Sequence, residues 1–565
     1  MKTFDQYEYK RPNVEEAKQN FYSQLADFKE ADSAEKAIAV MEKINDIRNT
    51  ISTMDNLVYI RASIDTTDAF YQKERDFFDE TNPEFEEWTT DFYKALVASP
   101  FRDELEKRYG KQLFQLAECQ IKAFSPEMID LLKKENKLVS EYSKLIASAQ
   151  IEFQEKTYTL SQIVPFYQHH DRNIRKEAVS ASAGFYAANG EKLDDIYDQL
   201  VKIRHEIATT LGYKNFVEVG YLRMQRIDYD AEMVENFRKQ VRETIVPLAT
   251  KLHERQRMRL GLDSFKFYDE FYEFKTGNAT PKGSPEWIIE NGKKMYSELS
   301  DETKEFFQFM LDRNLMDLEA KKGKEVGGYC TYIADYESPF IFANFNGTSD
   351  DIDVLTHEAG HAFQTYLSRH LKVPEYEFPT SEAAEIHSMS MEFFTWPWME
   401  LFFQEDTEKY KFSHLAAGIT FIPYGVLVDE FQHRVYENPD WTPEERKRAW
   451  RELEKVYLPH RDYDGIEFFE SGGLWQRQLH LFDEPFYYID YTLAQICAYQ
   501  FWKRDEENHE EAWNDYVELC KLGGSRSFLE LLDAANLRSP FADGTVKSVV
   551  SSVEKWLDNV DDKAL

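Results

Sequence analysis

Across its first 183 residues this chain carries a single glycine, Gly110. Glycine supplies the positive-φ positions that tight turns use, so a stretch this poor in it favours long elements and few turns. Apolar residues recur at three- and four-residue spacing through Val14 to Lys29 and Ala34 to Met54, the period of a helix with one buried face. Residues 1–190 therefore read as a largely helical N-terminal lobe, and residues 191–565 as a second lobe, with no flexible linker, repeat or low-complexity segment between them. Leu262 to Pro285 breaks the pattern. Phe and Tyr alternate there with charged residues and lead into Gly277-Asn278-Ala279-Thr280-Pro281-Lys282-Gly283-Ser284-Pro285. That predicts one or two strands and an exposed loop. Phe340 to Phe345, between Pro339 and Gly347, predicts another strand. The expected fold is mainly α with a small sheet.

His357-Glu358-Ala359-Gly360-His361 follows that strand and reads H-E-x-x-H. Positions i and i+4 share a helix face, so both imidazoles can reach one zinc ion, while Glu358 can serve the water the metal activates. With 13 histidines in 565 residues, chance yields such a motif in roughly 0.03 chains of this composition. The bland alternative is a surface helix with two ordinary histidines. Thr348-Ser349-Asp350-Asp351 reads as a capping box, with Thr348 the cap, opening a helix from about Ser349 toward Arg369. Gly360 inside that helix costs roughly 1 kcal/mol relative to Ala. Either another backbone comes close or the helix packs tightly.

Zinc needs a third protein ligand and an open position. The segment from Thr380 or Ser381 to Pro397 predicts a second helix on which Glu385, Ser388, Met389 and Glu392 share a face, with Glu382 at its edge. His387 lies about 200° from Glu385 and cannot share its metal. Glu385 is the expected third ligand. Glu392 competes, and fits better as a carboxylate that orients a ligand histidine.

The H-E-A-G-H helix, Ala384-Glu385-Ile386-His387-Ser388-Met389-Ser390-Met391-Glu392 and His480-Leu481-Phe482-Asp483-Glu484-Pro485-Phe486-Tyr487-Tyr488-Ile489-Asp490-Tyr491 resemble the M3 metallopeptidases. Within them the chain is most similar to the oligoendopeptidase F branch and to Pz-peptidase-type enzymes. The resemblance implies a zinc endopeptidase cutting short unfolded oligopeptides in a deep channel between two helical lobes. It implies one zinc per chain on His357, His361 and Glu385, with Glu358 as base. It also implies His480, Tyr488 and Tyr491 as donors to the transition state, with Tyr487 the neighbouring alternative to Tyr488. Such donors stabilise the oxyanion formed at the attacked carbonyl.

Peptides commonly bind zinc peptidases as an added strand on a sheet edge, read through backbone. Phe342, Ala343, Asn344 and Phe345, with Asn346, are the candidate edge, or else an ordinary internal strand. Gly327 and Gly328 predict a loop that folds over substrate. The net charge of −35 argues against nucleic acid and anionic membranes as partners and favours neutral or cationic peptides. Cys119, Cys330, Cys497 and Cys520 form no C-x-x-C pair, and there is no apolar leader or membrane-length run, so a reduced cytoplasmic enzyme is expected. An exopeptidase releasing C-terminal dipeptides would share this core, and a non-catalytic helical peptide-binding protein is the alternative from another class.

Overall fold

A computed structural model describes residues 2–565. The N-terminal helices begin where side chains can satisfy their free amides. Asn13 accepts from the Glu16 amide to open Val14–Lys29. Ser33 accepts from that of Lys36 to open Ala34–Ile64, which runs on past the expected end at Met54. Ala69–Val97, Gln112–Ala123 and Ile129–Ala147 follow.

Two hydrophobic cores hold the chain. The smaller is built from these helices, from Phe21 to Ala117, and is joined by Val373 and Tyr376. The larger takes Phe4, Tyr7, Leu57 and Ile60, then runs from Phe124 to Leu557. The change of core thus falls between Ala117 and Phe124.

Leu262 to Pro285 contains no strand, contrary to the alternation of its residues. It forms one short helical turn at Phe267–Asp269 and irregular backbone. Phe267, Tyr268, Tyr272 and Phe274 are buried. Asp269 is fully buried beneath Arg172 and Arg175, at 2.6 and 2.9 Å. The alternation reflects side chains that nail an irregular segment to the core, with Asp263, Ser264, Lys275, Thr276 and Lys282 to Ser284 exposed.

The sheet beside the site has three strands: β1 (Met316–Glu319), β2 (Tyr329–Ile333) and β3 (Ser338–Phe345). β3 lies in the middle, parallel to β1 and antiparallel to β2. Phe342 is opposite Asp317 on one side and Tyr329 on the other. The expected substrate edge at Phe342 to Asn346 is corrected: Phe342 pairs on both sides, and beyond the end of β2 Asn344 bonds the Glu325 and Gly327 carbonyls of the preceding loop. The apolar run from Phe340 to Ala343 is the composition of a strand covered on both faces.

Four helices complete the frame around the site: α1 (Asp350–Ser368), α2 (Ser381–Phe394), α3 (Thr407–Glu437) and α4 (Tyr488–Glu507). Glu400–Glu437 has the length and hydropathy of a membrane span. α3 runs through the protein core with Ile419, Ile422, Val426 and Phe431 buried, which accounts for its composition.

Candidate metal centre

α1 does not start with the expected capping box. Thr348 Oγ1 donates to Asn346 Oδ1 at 2.8 Å, and the Asp351 carboxylate turns back to accept from the Asn346 and Gly347 amides at 2.8 and 2.9 Å. The acidic first turn of Asp350, Asp351 and Asp353 still suits the positive end of a helix dipole.

One turn apart on α1, the rings of His357 and His361 stand 5.1 Å from each other. Gly360 decides what meets them. A β-carbon there would lie 2.6 Å from the His387 carbonyl oxygen and 2.6 Å from Ser388 Cα. The missing side chain lets the α2 backbone cross in contact with α1. Glu385, one turn before that crossing, then reaches across. Its Oε2 lies 3.1 Å from His357 Nε2 and 3.4 Å from His361 Nε2. Among the described residues these three form the one group of His, Cys, Asp or Glu side chains whose ligand atoms all converge, within 4.8 Å of one another. Burial opposes charge on Glu385, yet the facing imidazoles hold it well below the usual carboxylate range. Ser388 Oγ adds a hydrogen bond to Oε2 at 2.8 Å.

Glu392 lies behind this group. Its Oε1 is 2.7 Å from His357 Nδ1 and its Oε2 is 2.8 Å from His414 Nε2. His414, on α3, was not anticipated; nothing in its local sequence marks it. Trp396 Nε1 donates to His414 Nδ1 at 3.1 Å. An indole N–H only donates, so Nδ1 of His414 accepts and its Nε2–H points at Glu392. On the other side Glu392 takes the Nδ1–H of His357, which leaves His357 Nε2 with its lone pair toward Glu385 and His361. His387, as its helical position requires, is turned away; burial lowers its pKa to about 4.

Glu358 is buried beside the ligand group, and its Oε2 has no hydrogen-bond partner. Burial raises its pKa, and the imidazoles of His357 and His361 oppose that rise. Gly328 passes close by: a β-carbon on it would come within 3.1 Å of Glu358 Oε1. Gly327 has φ +93°. Asn344 pins this loop through hydrogen bonds of 2.8 Å to the Glu325 and Gly327 carbonyls. Phe342, Ala343 and Phe345 are buried, with Phe342 stacked on Tyr329 at 4.7 Å. β2 is an outer strand of the sheet; from the N-terminal helices Asn56 donates to its Tyr332 carbonyl at 2.9 Å and Ser63 Oγ lies 3.0 Å from the Tyr329 hydroxyl.

Facing the ligands is the segment from Gln478 to Tyr491. Tyr487 donates to Glu385 Oε1 at 2.5 Å. Tyr488 makes no hydrogen bond to the ligands; its ring packs on His480 and Tyr491, at 5.0 and 5.4 Å, and on Phe421 and Tyr424, at 5.8 Å from each. Of the two neighbours, then, it is Tyr487 that reaches the centre. His480 Nε2 lies 3.1 Å from the Tyr491 oxygen. Tyr424 donates to Gln478 Oε1 at 3.0 Å, and the Gln478 amide nitrogen lies 2.9 Å from His480 Nδ1. That chain puts the imidazole proton on Nε2 and leaves the Tyr491 hydroxyl hydrogen free. Burial lowers the His480 pKa to about 4, so it is a neutral donor at neutral pH. Burial likewise holds the Tyr487 and Tyr491 hydroxyls far above their ordinary pKa.

A cavity of about 590 Å³ opens between the N-terminal helices and the segment facing the ligands. Asp55, Tyr59, Arg75 and Asp79 line it from the first side, and Thr331 of β2 and Asp483 from the second.

The chain matches models of known protein families. A model of the peptidase family M3 matches residues 166–551, and one of the peptidase M3 N-terminal domain matches residues 4–124. This chain belongs to peptidase family M3. It is a peptidase, and it is similar along most of its length to oligopeptidase PepF of Bacillus subtilis, with 21% identity over 90% of this chain and 78% of that protein. An oligoendopeptidase F homolog of Borreliella burgdorferi is 26% identical over 71% of this chain and 70% of its own. Pz peptidase A, solved with an inhibitor, superposes with a TM-score of 0.99 at 59% identity, covering 99% of this chain and all of that one. Oligoendopeptidase F of Enterococcus faecium shares the fold at a TM-score of 0.62 and 14% identity, over 97% of this chain and 98% of that one.

Proposed function

We propose that this M3 peptidase is a zinc-dependent endopeptidase of the cytoplasm that cuts internal bonds of short unfolded peptides. One observation carries the reading. The unpartnered buried oxygen of Glu358 lies beside the point where His357, His361 and Glu385 converge. Two imidazole nitrogens and a carboxylate oxygen are a donor set that suits zinc and leaves it an open position. Zinc, when bound, supplies Lewis acidity that activates water and polarises the peptide carbonyl.

The protein's own groups do the rest. Glu358 takes the proton of the attacking water at Oε2 and returns it to the leaving amine; its raised pKa brings it toward the range in which a base works well near neutrality. Tyr491, its oxygen held by the His480 Nε2–H and its own hydrogen free, is the donor ready for the carbonyl oxygen as it becomes an oxyanion, and Tyr487 becomes a second donor when it turns from the Glu385 carboxylate it rests on. β2 offers the peptide backbone a sheet edge, in place of the edge expected on β3. Gly328 keeps the path between that edge and Glu358 clear of a side chain. The cavity between the N-terminal helices and β2, lined by Thr331 and Asp483 though by none of the ligands, is the room this reading assigns to an extended peptide. The names of the relatives, oligopeptidase and oligoendopeptidase, agree with this substrate class.

The test is a cut-site map by mass spectrometry of N-terminally acetylated peptides, each with an amidated and with a free C-terminus, with a stable folded protein alongside. Internal cuts in the blocked peptides and an intact folded protein are expected. Release of dipeptides only from free C-termini would replace the endopeptidase reading with the exopeptidase one.

A further inference from the structure

Phe486, immediately before Tyr487, has φ +73°. That left-handed conformation is disfavoured for a residue with a β-carbon, and it persists only where the surroundings over-determine it. Here they do. The Phe486 ring is fully buried and packs on Tyr221, His433 and Tyr436. Gly220 makes room for it: a β-carbon there would lie 2.4 Å from the ring. The Phe486 amide donates to Gln432 Oε1, and its carbonyl accepts from Arg226 Nη2, each at 2.5 Å. Gln432 comes from α3. Arg226 follows the helix Phe216–Arg223 and also pairs with Asp490 of α4 at 2.8 Å. The Gln432, Arg226 and Asp490 side chains are fully buried.

Both backbone groups of one strained residue are thus held by buried side chains from two other parts of the chain. The residue it delivers is Tyr487, the hydroxyl on Glu385. A right-handed residue at 486 would enter α4 in another direction and carry the Tyr487 ring off the ligand. We infer that Gln432 and Arg226 are positioning residues for the reaction. By holding Phe486 left-handed they aim the Tyr487 hydroxyl at the metal centre. The inference rests on the reading of Tyr487 as an oxyanion donor. The competing account is that they only support the core, and the two accounts differ in what happens once the Tyr487 hydroxyl is gone.

The experiment is a double-mutant cycle on the zinc-loaded full chain with a quenched peptide, in which kcat and KM are separated and folding is checked by thermal melting. Gln432→Met removes the acceptor at nearly constant volume. Alone, it should lower kcat about tenfold or more with KM within about twofold. In a Tyr487→Phe background it should change kcat by less than about twofold, because the group it aims is absent. Arg226→Met combined with Asp490→Asn, which removes the Nη2 donor to the Phe486 carbonyl without leaving the carboxylate it also bonds buried and unpaired, is the second variant and should behave alike if Gln432→Met fails to fold. An undiminished effect in the Tyr487→Phe background, or no effect alone while Tyr487→Phe is costly, overturns this inference and leaves the donor reading standing. A silent Tyr487→Phe overturns the donor reading and this inference with it.

Discussion

The two sides of the centre are built by different means. The ligand side is made of regular helices. α1 sets His357 and His361 one turn apart, α2 crosses it at Gly360, and Glu385 follows from helical spacing. The donor side is made of irregular chain. His480 and Tyr487 stand on short turns whose directions come from buried partners elsewhere, and Phe486 is held in a conformation its residue type resists. Where geometry comes from helical period, side-chain roles follow from counting residues. Where it comes from tertiary pins, neighbours as close as Tyr487 and Tyr488 take different partners: both rings pack on His480 and Tyr491, but only the Tyr487 hydroxyl meets Glu385.

The largest expected effect tests the ligand side. Glu358→Gln should lower kcat by about 10²–10⁴-fold, the usual contribution of a general base, while metal content stays at the wild-type level because Glu358 is not a ligand. Turnover within about threefold of wild type, under about 1 kcal/mol of barrier, would remove the base role. The next effect sharpens the contrast within the donor side. Tyr487→Phe should cost about 10²–10³-fold in kcat, as loss of one oxyanion donor does, with KM little changed. Tyr488→Phe should be mild. The reverse order, measured on the same peptide, would mean that helical counting and not the Phe486 turn governs this segment. The smallest effect probes the link behind the ligands. Glu392→Gln leaves His357 and His414 facing an amide, and should weaken metal binding about 10–100-fold in a chelator competition. Unchanged affinity would make the Glu392 bridge incidental.

Much of the ligand side was legible in the sequence. The H-E-x-x-H spacing, the place of Glu385 on a second helix and the outward turn of His387 all follow from one period. The interior glycine pointed to a close approach, which turned out to be the α2 backbone. His414 was not legible, because it joins Glu392 from a different helix and no spacing rule connects them. The substrate edge was misread although the sign was present. The run Phe340-Ile341-Phe342-Ala343 has no polar alternation, and an exposed edge would need some. Strands expected after Leu262 failed for a related reason: alternating aromatic and charged residues also describe an irregular segment anchored by buried aromatics and a buried Asp269. The choice between Tyr487 and Tyr488 depends on a left-handed Phe486, where sequence rules expect Gly, Asn or Asp. The first-lobe helices were readable from periodicity, yet the change of hydrophobic core near Phe124 has no local signature.

The central claim is that His357, His361 and Glu385 hold one catalytic zinc. Metal analysis of the purified wild type and of His361→Ala, prepared side by side, tests it most directly. The account predicts one zinc per chain in the wild type, and in the variant loss of zinc together with loss of peptide hydrolysis. A folded His361→Ala protein that keeps a full equivalent of zinc and normal turnover would contradict it.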